Sequence, residues 1–569
     1  MNFKHNIMNN YFWKVAASLA FLFLVGCSGG ESVAESSPSA PDQPGKPENP
    51  TPALADDTIP AHSFQMGSLT GFEAGVRNGN TSHAGGNSST TYYNLPLFEV
   101  YDFKMTDSQW WDDIVEEFEY SGMDYICPNC RGCLPDPKKY TDHGDPNRIK
   151  DLIAAIKRRG SDLKVAIFDD APASWAAARN LDKYGAYVPV LSDNDLRNKS
   201  LTDKDQVYPI DDLNDIYKYI WDYNIKLAFA NFYGPNSDNN QYLFRYKGKP
   251  VLYIWSPNGF LNVEYRALGN KKPDCNGRLK AILDKLHADF KSTFGEEVFI
   301  CVDGAFRDRD PQSANSADAF NNWFTASEAA TNRSSYTLAN FKGHNVGVAC
   351  PGFLCNDRSG SRMLFDAEEG KRLTKALDYF VKFHATLVLL EGFTDMVENA
   401  AFFRSKDTKY YSFPNQRLNL LRKYSSSRAY PLEMNVEAET CDKFVDNTPG
   451  NSGNQYRSGD IDIKTCNDGY PGWCVTNTAA GESLEWVELP YRNGSSVIRL
   501  RYSSNEEVKV RIDIDGKEGH VTTLPATGGG WKTADAATVT MQVKGWHRTV
   551  LNVVSGNIDI NKFTIVASK

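Results

Sequence analysis

The chain has 569 residues, with 62 Lys and Arg against 71 Asp and Glu, a net charge of −9 and no basic run. That balance argues against nucleic acid as a partner. The length exceeds the ~100–200 residues of one ordinary domain, so at least two domains are expected.

Residues 1–26 read as a targeting segment. Lys4 and Lys14 supply positive charge, Val15 to Val25 is an apolar run, and Gly26 stands just before Cys27. The run is shorter than the ~20 apolar residues a spanning helix needs. It therefore reads as a lipoprotein signal peptide, with Cys27 the lipidated residue after cleavage. The expected location is outside the cytoplasm, anchored by lipid to the outer membrane, with the periplasmic and cell-surface faces both open. Residues 27–60 are rich in Pro, Ser and acidic side chains, cannot bury a core, and read as a disordered linker.

From 61 to 430, short apolar runs alternate with amphipathic stretches. Eight strands are predicted: 98–103, 124–127, 164–170, 251–255, 298–303, 319–323, 346–350 and 386–391. Helical periodicity falls between them at 109–120, 148–159, 212–223, 278–294 and 370–384. Continuous apolar strands alternating with helices imply a parallel sheet covered on its outer face. Eight such units favour a (β/α)8 TIM-type barrel, with a doubly wound open sheet as the alternative. No GxGxxG turn supports a dinucleotide site.

In such a barrel the working side chains sit at the C-terminal strand ends. Asp169, Asp170, Asp303 and Glu391 fall there, and with Tyr253 and Trp255 they are the expected substrate contacts. Any one of these Asp residues could instead cap the helix that follows. Glu391, Asp395 and Glu398 lie within eight residues of one another, and Asp395 and Glu398 are three apart. That spacing brings both to one side of a turn. Paired carboxylates are what glycoside hydrolysis needs, one as acid and one as nucleophile or base, and no further cofactor is required.

Without Cys27, ten of the eleven cysteines remain. In an exported chain disulfides are the expectation, with Cys350–Cys355 and Cys466–Cys474 the sequence-local candidates. The run Cys127, Cys130, Cys133 leaves a metal site as the alternative.

Beyond 431 the texture becomes all-β. Alternating strands are predicted at 483–489, 496–502 and 508–514, punctuated by Asp515-Gly516 and Gly528-Gly529-Gly530. Residues 431–569 are expected to form a separate β-sandwich of jelly-roll type.

Several motifs carry resemblances. Phe393-Thr394-Asp395-Met396-Val397-Glu398 resembles the last-strand motif of family 99-like glycoside hydrolases, the endo-α-mannosidase and endo-α-mannanase group, with Asp in place of the first Glu and Thr in place of Asn. Pro351-Gly352-Phe353 is similar to that family's loop after the seventh strand. The resemblance implies Glu398 as general acid/base. It makes Asp395 the second carboxylate, either a nucleophile or a base acting through the sugar's own 2-hydroxyl. The whole chain looks most like an exported, Bacteroides-type family numbered 5010 among the domains of unknown function.

The C-terminal segments Val436-Glu437-Ala438-Glu439, Gly481-Glu482-Ser483, Leu524-Pro525-Ala526-Thr527-Gly528 and Gly556-Asn557-Ile558-Asp559 resemble a family 6 carbohydrate-binding module. That likeness implies a sugar-stacking role for Trp473 and a sugar hydrogen bond for Asp559. It also implies a structural calcium site at Glu437, Glu439 and Asn561, while the second stacking position falls near Ala534, which is not aromatic. The expected partner is a polysaccharide or glycan.

Overall fold

The computed structural model describes residues 59–71, 96–99, 107–130, 132, 144–170, 217, 220–257, 277–328, 330–356, 362–395, 398–405, 411–468 and 470–568. Cys27, the signal segment and the linker lie outside these. Among the described residues no helix is long and apolar enough to cross a membrane.

The first domain is mixed α/β around a nearly closed, barrel-like sheet. Eight parallel strands follow one another in chain order: Gln65–Thr70, Tyr125–Cys130, Ile167–Asp169, Lys249–Ile254, Phe299–Asp303, Ala319–Asn321, His344–Ala349 and Leu387–Leu390. The last pairs back onto the first. Between the sixth and seventh an antiparallel strand, Tyr336–Phe341, pairs with His344–Ala349. Its Thr337 hydroxyl reaches the Asn322 carbonyl beside the sixth strand. The sheet thus departs from a regular (β/α)8 barrel at this seam.

Strand periodicity sorts the side chains. Tyr125, Cys127, Val251, Tyr253, Phe299, Cys301, Leu387 and Leu389 fill the barrel interior. Their neighbours Ile126, Leu252, Ile254, Ile300, Val302, Val388 and Leu390 face outward into the core shared with the helices. The helices Asp107–Ser121, Ile149–Arg159, Arg278–Phe294 and Lys371–Lys382 follow the expected registers, while the one expected at 212–223 lies largely outside the described residues.

The expected first strand at 98–103 is corrected. Leu97–Glu99 is one tight helical turn, 100–103 lie outside the described residues, and Gln65–Thr70 opens the sheet. That segment, Gln-Met-Gly-Ser-Leu-Thr, is too polar to read as a buried strand. Its Gly67 is required by packing, because a Cβ there would stand 2.3 Å from the Tyr125 ring.

The cysteine expectation is also corrected for the described residues, where Cys127, Cys130, Cys301, Cys350, Cys441, Cys466 and Cys474 are all free thiols. Cys127 points into the barrel and Cys130 outward. A three-residue step along a strand dictates this, so these two cannot share a ligand. Cys466 and Cys474 lie on paired antiparallel strands with their thiols in hydrogen-bond contact.

The second domain is a β-sandwich. One sheet runs Ile463–Asp468, Tyr470–Val475, Asp559–Ala567, Gly494–Ser503, Lys532–Met541, with Glu433–Glu437 also on Asp559–Ala567. The other runs Lys443–Val445, Ser483–Tyr491, Gly545–Ser555, Val508–Ile514, Val521–Leu524. Trp486 is fully buried between them, edge-on to Phe563.

The two domains share a polar joint. On the barrel side of it, buried Arg404 pairs with Glu116 at 3.1 Å and with Glu117 of the Asp107–Ser121 helix and donates to Asn415 at 2.6 Å. Asn415 donates to Asp442 and to the Thr440 carbonyl, and Lys423 pairs with Glu488 at 3.0 Å. Buried ions and amides are tolerable only when satisfied in this way.

Candidate functional site

Because the eight strands are parallel, their C-terminal ends open at one mouth. The loop after the last strand is tied to neighbouring strand ends by several hydrogen bonds. The Glu391 N–H donates to the Ala349 carbonyl at 2.8 Å, and the Phe393 N–H donates to the Leu69 carbonyl at 2.8 Å. The Gly71 N–H donates to the Thr394 hydroxyl at 2.9 Å. Phe393 stacks on Phe118 with ring centres 4.0 Å apart.

Gly392 makes the turn. Its φ is +74°, and a Cβ there would lie 3.0 Å from the Asp395 side chain and 3.2 Å from that of Ala400. A larger residue would be strained and would push Asp395 away.

This turn gathers three carboxylates. One oxygen each from Glu391, Asp395 and Glu398 lies within 4.8 Å of the others, with Glu391 buried and the other two part-exposed. It is the one such acidic or metal-ligating group among the described residues. Asp395 Oδ1 also accepts the Glu398 backbone N–H at 3.0 Å, which fixes the pair locally. From the other side, the Leu354 N–H donates to the Glu398 carbonyl at 2.8 Å and the Asn399 amide donates to the Leu354 carbonyl at 3.0 Å. Buried Cys350 lies beside them. Burial first, then the Glu391 and Glu398 charges, push its thiol well above its usual range.

The other expected mouth residues are placed at the same strand ends. Asp169 is fully buried and accepts a short hydrogen bond from Asn224, whose amide also donates to the Cys130 carbonyl at 3.1 Å. Asn224 sits in a wide π-helical turn, Trp221–Ile225. Such turns are found often at functional sites. Nothing in its sequence context singles it out. Asp170 accepts from the Asn129 amide at 3.3 Å, and the Trp255 N–H donates to the Asp169 carbonyl at 3.2 Å.

Asp303 accepts from the backbone N–H groups of Ala305 at 2.8 Å and Trp323 at 3.3 Å. Burial nonetheless pushes its carboxyl up to about 7. The ring of Trp255 packs on the barrel interior with Trp323. Tyr253 lies deeper, wholly buried, with its hydroxyl on that of Tyr125 at 2.9 Å. It supports the mouth from beneath and is not presented to it.

In the sandwich, Trp473 is buried at the joint and its indole N–H donates to Asp113 of the first domain at 3.1 Å. A sugar could stack on this ring only by parting the two domains. Asp559 is held by Lys464 at 2.6 Å and by the Thr476 hydroxyl at 2.5 Å.

Glu437 and Glu439 are both buried, and Glu439 Oε2 has no hydrogen-bond partner. Burial, followed by the neighbouring Glu437 charge, pushes the Glu439 carboxyl well above its usual range. Asn561 commits its amide nitrogen to Asp468 at 2.8 Å. Paired buried carboxylates with an orphaned oxygen fit a hard cation such as calcium.

Comparison with known proteins follows these two parts. Residues 62–443 match the profile described as "Domain of unknown function (DUF5010)". Residues 457–565 match "Carbohydrate binding module (family 35)". The profile thus names family 35 where the motifs suggested family 6, while family 6 modules are among the structural matches.

One is the C-terminal family 6 module of LamC, a marine laminarinase from Zobellia galactanivorans, at 20% identity over 24% of this chain and 98% of that one, TM-score 0.19. Another is a module of Cellvibrio mixtus lichenase 5A in complex with cellotriose, at 22% identity over 24% and 98%, TM-score 0.20. A family 35 module from Clostridium thermocellum matches at 16% identity over 24% and 98%, TM-score 0.19. A comparison with curated protein sequences returns no match.

Proposed function

The chain belongs to the DUF5010 family, and from that premise we propose that it is a glycoside hydrolase acting on a polysaccharide or glycan at the barrel mouth. The observation that carries this is the meeting of Glu391, Asp395 and Glu398 within 4.8 Å at the end of the last strand. Hydrolysis of a glycosidic bond asks for two carboxyl groups with divided roles.

Glu398 is assigned the acid that protonates the leaving oxygen and later takes a proton from water. Asp395 is assigned the second carboxylate, attacking the anomeric carbon or drawing the proton from the sugar's own 2-hydroxyl. Close carboxyl groups, at about 5 Å, suit retention of configuration. Glu391, with Asp169, Asp170, Asp303 and Trp255, would orient the pyranose.

The C-terminal module would hold the enzyme on its polymer, raising the local substrate concentration. Asp559 would contribute there, while Glu437, Glu439 and Asn561 would hold a calcium ion that ties the sandwich strands together. A lipid on Cys27 would keep the whole at a membrane outside the cytoplasm.

One observation favours a second reading. The Glu398 N–H donates to Asp395, the contact a purely structural turn would make, so the barrel could bind glycan without cutting it. A panel of polysaccharides incubated with the purified full chain, with products resolved by chromatography, separates the two. Release of oligosaccharides supports the hydrolase, and binding without release supports the second reading.

A further inference from the structure

We propose that Trp323, with Trp255 and Asp303 beside it, forms a stacking subsite that holds a neutral hexopyranose unit next to the three-carboxylate turn. This rests on the reading of the barrel mouth as a glycan site and adds Trp323 as a residue that selects the substrate.

Strand alternation puts the three side chains together. Cys301 faces the barrel interior, so Asp303, two residues on in the same strand, does too. Trp255 and Trp323 both pack on that interior cluster, just beyond the ends of the fourth and sixth strands. Asp303 ends the fifth strand between them and is in register with Asn321. The two tryptophans thus stand two strand spacings apart, about 10 Å, on either side of one carboxylate.

Exposure separates Trp323 from the wall behind it. Its ring centre lies 6.0 Å from that of Phe168 and 5.7 Å from that of Phe324, and Phe324 meets Phe353 edge-on at 5.5 Å. These phenylalanines are buried, whereas Trp323 and Trp255 are half-buried. An indole left half-open at a concave mouth offers its face to a ligand. The same wall reaches the carboxylates, because the N–H of Leu354, next to Phe353, donates to the Glu398 carbonyl at 2.8 Å.

The backbone under Trp323 is pinned at three successive residues. The Gly304 N–H donates to the Asn321 carbonyl at 2.7 Å, the Thr337 hydroxyl to the Asn322 carbonyl, and the Trp323 N–H to Asp303 at 3.3 Å. A ring ordered in advance loses little freedom when a ligand settles on it.

These partners define the ligand. A pyranose has a face of C–H groups that packs on an indole and a rim of hydroxyls that can donate to a carboxylate. Each Asp303 oxygen takes one backbone N–H, and a carboxylate offers about four acceptor sites, so capacity remains. Phe168 and Leu389 also face the interior, and the ladder continues one residue beyond each strand, which turns Asp170 and Glu391 inward beside Asp303. A sugar carrying its own carboxylate or sulfate would meet like charge there.

The test uses the full chain and a panel of neutral oligosaccharides, gluco-, manno- and galacto-configured in α and β linkages, with an oligogalacturonate as the charged member. Wild type is oxidised with N-bromosuccinimide with and without each sugar, and modification of Trp323 is read by peptide mass spectrometry. At least one neutral member should shield Trp323, and the oligogalacturonate should not. By calorimetry, Trp323→Leu, which keeps apolar bulk without a ring face, should bind that member about 10–100-fold more weakly. Trp323→Phe should fall between the two. If the wild type cleaves the sugar, W323L should raise KM more than it lowers kcat, the mark of lost ground-state binding. Shielding without cleavage leaves the subsite standing and removes the hydrolase. Cleavage with Trp323 unshielded, or W323L binding as wild type does, overturns the subsite and leaves the hydrolase. A panel in which no neutral member shields Trp323 also overturns it, a result that needs no variant to fold. Shielding by the oligogalacturonate overturns the neutral assignment.

Discussion

Trp473 donates its indole N–H to Asp113 Oδ1 at 3.1 Å across the joint between the two domains, and both side chains are buried. The aromatic residue that the module motifs offer as a sugar platform is thus committed to holding the module on the barrel. Further bonds from Asn415 to Asp442, Asn419 to the Glu488 carbonyl and Lys423 to Glu488 dock the module against the barrel through the 415–423 segment.

Trp473→Phe tests this commitment. Phenylalanine keeps a ring able to stack on a sugar but removes the only donor nitrogen, leaving a buried carboxylate oxygen unmet. The expected cost is about 1–3 kcal/mol of unfolding free energy, read from urea denaturation. A loss below about 0.5 kcal/mol, the scale of an ordinary surface change, would contradict the structural role.

Asp303 makes stability depend on pH. Burial raises its carboxyl to about 7 in the folded chain, against the pull of two backbone donors. The unfolded value is about 3.9, so the folded state holds the proton more tightly. That contribution is complete below about pH 4 and is lost as pH rises through about 7. Melting temperature should therefore fall over this window, and Asp303→Asn should flatten that part of the curve. An unchanged slope in D303N would show that Asp303 is not the group responsible.

Asn224 bears on activity through Asp169. Its amide links the Asp169 carboxylate to the Cys130 carbonyl, holding two neighbouring strand ends in register. Asn224→Ala should lower turnover about 10–100-fold, since small displacements at a reacting site cost that much. Its melting curve should shift by no more than the loss of one buried hydrogen-bonding group, about 1–3 kcal/mol. Full turnover in N224A would remove Asp169 from the working part of the mouth.

Much of this arrangement was legible from residues alone. Apolar runs such as Val251-Leu252-Tyr253-Ile254 and helix periods such as 278–294 carry their burial in their pattern, and they fall where expected. The Asp395–Glu398 spacing correctly foretold a shared face. The first strand was hidden because Gln65–Thr70 is chosen for packing under Tyr125 and not for apolarity. Strand Tyr336–Phe341 was missed because it closes the sheet as a hairpin with the next strand, outside the β/α rhythm. The roles of Trp473, Asp113 and Asn224 depend on partners between 55 and 360 residues away, and no local pattern can reveal such partners.

The most direct test of the central claim compares wild type with Glu398→Gln on whichever polysaccharide the wild type degrades. The substitution keeps size and hydrogen bonding but removes the proton that the leaving oxygen needs. Turnover is expected to fall at least about 100-fold, the lower end of what general acid catalysis contributes, with substrate affinity unchanged by pull-down. Turnover in E398Q equal to wild type would contradict the assignment of Glu398 and, with it, the three-carboxylate turn as the active site.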